Sequence, residues 1–406
     1  MVDPSINERS TGLDRLQLAA LAGLMLIGTA FIYSATTSNA DAASLPWYDQ
    51  SWVRQLIWYA LGLGVGAAVC LVDYHTLARW SLVAYCAAIF FLVLVLIPHI
   101  GQMRFGARRW IEFKVFQFQP SEFAKLAFIL AAANFLSRPA GELRRPATFW
   151  TGMGLMLLPF VLILKEPDLG SALVLLPTGL VMMFVAGTPG RYLGLLAGSV
   201  GLLAALFLVD AVFLPPGWWQ IPMPPYQRDR LLVYFDRDYR SFAPPNATPA
   251  ELQSLNAQEE KDSYNVRQAL ISVGSGGLFG KGWQRGTQHK YDYLPRAVQH
   301  NDFIFSVIAE EEGFVGSVVV LALYAVVLFT GLRIAGQARD RLGKLVVAGV
   351  VTLVFSHIFI NIGMNIRIMP VTGVPLPLLS YGGSSVLGSW IAVGLMQNVY
   401  IHRRGY

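Results

Sequence analysis

The 406-residue chain is 54% hydrophobic and 14% charged, against roughly 25% charged in an average soluble domain, and its mean hydropathy is +0.49. This excludes an ordinary soluble domain and predicts an all-α polytopic membrane protein, since in hydrocarbon a helix satisfies its own backbone. The net charge of +6 would suggest nucleic acid in a soluble protein, but the basic residues here sit mostly in short loops between apolar segments, the pattern of membrane topology, so no nucleic-acid partner is expected.

About ten transmembrane helices are predicted, over Leu16–Ser34, Gln55–Val72, Ala78–Ile97, Phe123–Leu136, Thr148–Leu164, Leu169–Gly187, Tyr192–Leu214, Phe303–Leu332, Leu345–Met369 and Ser384–Ile401. Most approach the roughly 20 residues needed to cross the hydrocarbon core, and the fourth and fifth are short. The polar Met1–Asp14 lacks the apolar core of a secretory signal, so the first apolar run is expected to be retained. Cys70 and Cys86 both lie in apolar segments and read as small buried hydrophobes. Arg9, Arg15, Arg79, Arg138, Arg144, Arg145, Arg191, Arg333, Arg339, Arg341, Lys344, Arg403 and Arg404 fall on one side, whereas Ala35–Ser51 has no Lys or Arg. Both termini are therefore expected in the cytoplasm. The chain reads as one integral membrane domain, residues 1–406, with a large extracytoplasmic loop, 215–302, between helices 7 and 8.

One segment breaks the charge rule. Between helices 3 and 4, Arg104, Arg108, Arg109 and Lys114 lie on the outer side, followed by Gln119-Pro120-Ser121-Glu122 and Lys125. Arg forks bind phosphate oxygens in pairs and Lys binds them as a point charge, so an anionic ligand such as a diphosphate would explain the exception. Salt bridges to Glu112 or Glu122, or contact with lipid headgroups, are the alternatives. Pro120 and Glu122 suit the first turn of a helix, where Glu122 and Lys125 share a face as an ion pair or as two groups aimed at a cavity.

The turn Lys165-Glu166-Pro167-Asp168-Leu169-Gly170 joins two helices on the same outer face, and Asp168 alone reads as a cap. The long loop begins with interfacial Pro215-Pro216-Gly217-Trp218-Trp219 and carries a basic patch of Arg228, Arg230, Arg237 and Arg240. Ala247–Asp262 reads as a solvated insertion and Tyr264–Ile271 as an amphipathic helix on the membrane surface. The glycine-rich Gly274–Gly282 lacks P-loop spacing, which excludes nucleotide binding there.

At His300-Asn301-Asp302-Phe303 the polar loop enters an apolar helix, which places Asp302 at the water–membrane boundary. An ionisable group at that depth marks function, with a helix N-cap by Asn301 or Asp302 as the structural alternative. Glu310 and Glu311 lie further along the same helix and demand pairing or a wet cavity. Arg367 sits near the outer end of helix 9, and Gly373–Ser385 is a Pro/Gly-rich, re-entrant segment, tolerated at membrane depth only where it lines a cavity or is buried in protein.

Six of these motifs, in order, resemble the SEDS family (shape, elongation, division, sporulation), and within it the RodA-like branch. They are Ala107–Ile111, Gln119–Glu122 with Lys125, Pro167–Gly170, Gly274–Gly282, His300–Phe305 with Glu310-Glu311, and Gly373–Pro377 with Ser380–Ser385. The chain departs from the family pattern in the residues before His300, where Pro295 and Arg296 stand. It also carries Glu166 in place of Gln and Arg367 in place of Gly, and has a long insertion at 247–262.

The resemblance implies a peptidoglycan glycosyltransferase of the bacterial cytoplasmic membrane that polymerises lipid II, an undecaprenyl diphosphate-linked disaccharide pentapeptide. It implies Asp302 as general base and Arg108, Arg109 and Lys125 as ligands of the diphosphate. Glu122 would orient Lys125 or hold Mg²⁺ or Mn²⁺. Asp168, His300 and Ser380 complete the expected substrate-binding set, with a structural or interfacial role slightly favoured over a catalytic one for His300. A class B penicillin-binding transpeptidase is the implied partner, alongside the membrane lipids. A flippase for the lipid-linked precursor and a non-catalytic scaffold of the wall machinery are the competing functions. The clustering of charge at one face, without an inverted repeat, favours the enzyme.

Overall fold

A computed structural model describes residues 12–37, 46–104, 107–113, 117–213, 225–242, 248–291, 293–294 and 299–403. Lys114, Pro215–Trp219, Pro295, Arg296, Arg404 and the side chain of Arg104 lie outside the described residues, as do most of Met1–Asp14 and 38–45 of the first outer loop.

All ten expected segments are helical. They are α1 (Arg15–Thr37), α2 (Ser51–Leu71), α3 (Ser81–Leu96), α4 (Pro120–Leu136), α5 (Pro146–Lys165), α6 (Leu169–Val185), α7 (Gly190–Phe213), and, after the two longer helices described in the long loop, α10 (Ile304–Gln337), α11 (Arg341–Asn365) and α12 (Gly383–Ile401). The loop helices are α8 (Pro225–Tyr234) and α9 (Pro249–Ser275). Six of the twelve, namely α1, α2, α5, α7, α10 and α11, are long and apolar enough by length and composition to cross a membrane.

Helix α11 is the centre of the bundle, with 89% of its most apolar window buried, whereas α7 is peripheral at 17%. Around α11 pack α4, α6, α10 and α12; α2 lies along α12, and α1 along α10. The helix starts follow local chemistry. Pro120 and Pro146 occupy first turns, where a missing N–H costs nothing. Asp168 caps α6 through Ser171 N, and Asp340 caps α11 through Gly343 N.

Two parts of the architecture differ from the sequence expectation. The basic segment between α3 and α4 is a small antiparallel sheet in the order β1 (Gly101–Arg104), β2 (Ala107–Glu112), β3 (Gln117–Phe118), where a loop was expected. Gln102 pairs with Trp110 and Met103 with Arg108, so Arg109 is the extra residue of a β-bulge. A bulge re-aims a side chain, and this one frees Arg109 from the ladder. The second difference is α9: the expected insertion and the surface helix are one continuous 27-residue helix packed against α10 and α8.

Residues 366–382 carry no regular ladder, yet their carbonyls are satisfied by side chains from the surrounding helices. Asn361 Nδ2 donates to Val374 O (2.7 Å), Tyr324 OH to Pro377 O (2.8 Å), Tyr59 OH to Leu378 O (2.8 Å) and Gln55 Nε2 to Ser380 O (3.1 Å). Irregular backbone buried in protein is stable on this condition alone.

The glycine-rich segment meets α10 main chain to main chain. Lys281 N donates to Glu310 O (3.0 Å), Gly282 N to Glu311 O (2.8 Å) and Phe314 N to Gly277 O (2.9 Å). The helix opens there at Gly313, φ 67° and ψ −157°. A Cβ on Gly313 would lie 2.3 Å from Gly280 N, and one on Gly280 would lie 2.0 Å from Glu311 O. Side chains complete the clamp: Glu310 accepts from Lys281 Nζ (2.5 Å), Thr287 N (2.7 Å) and Ser272 Oγ (3.1 Å), and Glu311 accepts from Ser34 Oγ (2.6 Å). Between pairing and a cavity role, these two carboxylates take the first.

Candidate active site

Asp302 stands one residue before the cap of α10, which is Phe303 and makes no side-chain capping bond. The N-cap reading of Asn301 and Asp302 is thereby overturned. Ser306 N, the donor such a cap would serve, is shared between Phe303 O (3.0 Å) and Asn365 Oδ1 (3.2 Å). The main chain around Asp302 is held from α11: Asn361 Nδ2 and Asn365 Nδ2 both donate to Asp302 O, at 3.0 and 3.1 Å. From the re-entrant side, Ser380 Oγ donates to Asn301 O (2.6 Å) and Tyr381 N to His300 O (3.0 Å). The carboxylate itself accepts no hydrogen bond among the described residues. Its backbone is fixed while its oxygens are left for something else.

Arg109 lies opposite on the bulge of β2. It donates through Nη2 to Pro167 O, and its Nη1 is 3.7 Å from Asp168 Oδ1. Asp168 is buried and does more than cap, because its Oδ2 also accepts from Gln119 Nε2 (3.2 Å). Burial pushes the Asp302 carboxyl up to about 6; the charges of Arg109 and Arg230 restrain the rise and that of Asp168 adds to it. These four groups come from β2, the α5–α6 turn, α8 and the start of α10. They form one electrostatic cluster at one end of the bundle, where a partly protonated carboxylate faces two guanidinium groups.

Lys125 is placed elsewhere. It is 1% exposed, and its Nζ donates to Glu122 Oε1 (2.7 Å) and to His357 Nε2 (2.9 Å). The His357 ring must then carry its proton on Nδ1, which faces Pro375 O at 3.3 Å. Of the two readings of Glu122 and Lys125, the ion pair is the one formed. An ammonium occupies the position a metal would need beside Glu122, and no group of three ligating side chains exists among the described residues. The site therefore does not fit a resident divalent cation on Glu122.

The remaining expected residues divide. Arg108 is half-buried on β2 and makes no ion pair among the described residues. His300 packs on the ring of Tyr381, centroids 5.2 Å apart. Ser380 is buried and spends its hydroxyl on Asn301 O and Leu376 N, so it shapes the re-entrant segment and offers nothing to a substrate. Arg367 is bound to Asp236 (3.1 Å). Sequence reasoning placed Arg230 only in a general basic patch and missed His357, Asn361 and Asn365. Their spacing of four, a polar stripe in an apolar helix, was the available signal.

Comparison with known proteins is consistent over nearly the whole chain. Residues 14–405 match the model of the FtsW/RodA/SpoVE family, described as a cell cycle protein. The chain is 34% identical to the peptidoglycan glycosyltransferase MrdB of Escherichia coli K12 over 394 residues, covering 97% of this chain and 94% of that protein. It is 35% identical to the stage V sporulation protein E of Bacillus subtilis strain 168 over 404 residues, covering 98% and 99%. Among solved structures, a chain of a peptidoglycan synthase complex that coordinates polymerization and crosslinking superposes with a TM-score of 0.73 at 29% identity, covering 97% of this chain and 99% of that one. The rod shape determining protein RodA of Thermus thermophilus superposes with a TM-score of 0.65 at 28% identity and the same coverage.

Proposed function

The chain belongs to the FtsW/RodA/SpoVE family, and from that premise we propose that it is a peptidoglycan glycosyltransferase that polymerises lipid II, with Asp302 as general base. The reaction joins the 4-hydroxyl of one sugar to the anomeric carbon of another. Asp302 takes the hydroxyl proton as the new C–O bond forms, and the bond from the anomeric carbon to the diphosphate breaks. The leaving group departs with the electron pair, and Arg108, Arg109 and Arg230 stabilise its charge. The observation that carries this assignment is the Asp302 carboxylate, fixed through its main chain and accepting no hydrogen bond among the described residues.

Lys125 and Glu122 are assigned to the floor of the site, which they hold through His357 and the 370–382 segment. The Mg²⁺ or Mn²⁺ expected from diphosphate chemistry is assigned to the substrate's own phosphate oxygens. The site end of the bundle faces outward from the bacterial cytoplasmic membrane, with ten crossings and both termini in the cytoplasm. The support for this orientation is the Lys and Arg content of the loops at the opposite end. The partner is a class B penicillin-binding transpeptidase whose outer domain meets the long loop.

The test is polymerisation of labelled lipid II by the purified chain with that transpeptidase. Glycan ladders from the wild type that vanish in Asp302→Ala support the reading. If the wild type makes none and instead moves the lipid across vesicle bilayers, the flippase reading replaces it.

A further inference from the structure

Glu166 is 0% exposed, and neither of its carboxyl oxygens has a hydrogen-bond partner among the described residues. Such a group is costly to bury unless it is neutral. It sits at the C-cap of α5, two residues from Asp168, and feels the charges of Asp168 and Arg109. Arg109 offers a matching donor, since its Nε is buried and also has no partner among the described residues. A buried acid and a buried N–H thus belong to one electrostatically coupled group, and neither is hydrogen-bonded among the described residues.

We propose that Glu166 is a positioning residue that works as a neutral carboxylic acid, leaving Arg109 turned toward Asp168 and Asp302, and that its ionisation draws Arg109 away and shuts the site. The proposal rests on the glycosyltransferase reading above for its consequence, and for its protonation on the burial and missing hydrogen-bond partners of the carboxyl, with its raised pKa in support. The groups around Glu166 are few. From β2 comes Arg109; from its own turn come Asp168 and the exposed Lys165; Thr372 and Val374, which pack on the next turn at Gly170, bring no charge. Asp302 and Arg230 reach it only through Arg109 and Asp168. Burial is the main cause that pushes the Glu166 carboxyl up to about 9; Asp168 adds to the rise and Arg109 opposes it. Near neutral pH the acid therefore holds its proton. In alkali the proton goes to solvent, and the carboxylate attracts the Arg109 fork, the cation whose charge it already feels.

The two halves are tested separately. Infrared difference spectra between wild type and Glu166→Gln, which needs only folded protein, are predicted to show a protonated carboxyl C=O band at about pH 7 that titrates away in alkali. Lipid II polymerisation with the partner transpeptidase is predicted to fall about tenfold per pH unit above the Glu166 transition in the wild type, and to stay level in Glu166→Gln, whose amide cannot ionise. Absence of the band overturns the neutral acid. A band with the same alkaline fall in Glu166→Gln overturns its control of Arg109. If the wild type polymerises nothing at any pH, the glycosyltransferase reading fails, and the infrared band still decides the state of Glu166.

Discussion

At the residue scale, the proposed chemistry turns on two carboxyl groups, both of which burial pushes up, Asp302 to about 6 and Glu166 to about 9. Asp302, pushed up to about 6, acts as a base only when ionised. Polymerisation is predicted to fall about tenfold per pH unit below that value, read as kcat/KM on lipid II; a level profile down to about pH 5 would contradict it. Glu166 bears on stability as well. Its pKa is raised from 4.5 to about 9, so above 4.5 the unfolded chain ionises while the folded one stays protonated, and stability is lost as pH rises between the two values. Glu166→Gln is therefore predicted to be more stable than the wild type near neutral pH by about 1–3 kcal/mol, measured as a melting shift in detergent that shrinks toward acid. Lys125 shows the opposite dependence on pairing. Lys125→Met leaves Glu122 buried beside His357 without its cation, at a cost of about 3–5 kcal/mol. The position of Asp302 was legible in the sequence because polar loop meets apolar helix there, and the helix does begin just after it. Of the partners of Lys125, Glu122 was legible from its place on the same helix face, and His357 was not, because it lies 232 residues away.

At the element scale, the features that escaped the sequence are those whose cause lies in a second segment. Gly274–Gly282 and Glu310-Glu311 each stood out alone, one as a weak loop motif and the other as misplaced charge. Together they are one clamp in which glycine main chain lies on the kink of α10 at Gly313. Gly280→Ala, which would set a Cβ 2.0 Å from Glu311 O, is predicted to release the 276–290 loop. The readout is faster amide exchange across that loop; unchanged protection would contradict the clamp. The strands β1–β3 are two to six residues long, too short for alternation to register, so a loop was the natural expectation. The bulge that aims Arg109 is a property of register, which no single strand carries. By contrast, the ten apolar segments were legible within a few residues, since hydrocarbon demands continuous apolar helix and little else.

At the scale of the whole molecule, Asp302, Arg109, Asp168 and the irregular 366–382 segment share one end of a bundle centred on α11, and the opposite end carries the basic loops of Arg79, Arg138 and Arg341. This sets a topological expectation. In a chain with Cys70 and Cys86 replaced, Arg285→Cys is predicted to react with an impermeant thiol reagent in intact cells, and Arg79→Cys only after permeabilisation. Both positions are exposed, and the reverse pattern would invert the proposed orientation.

Asp302 is proposed to remove a proton in a polymerisation carried out by this chain. This role is tested most directly by Asp302→Asn in complex with the transpeptidase, measuring lipid II binding and glycan formation on the same preparation. Because the backbone anchors of Asp302 come from Asn361, Asn365 and the neighbouring residues, the substitution is predicted to leave binding nearly unchanged and to lower polymerisation by about 10²–10⁴-fold. Polymerisation that persists at the wild-type rate while Asp302 is an amide would contradict the account.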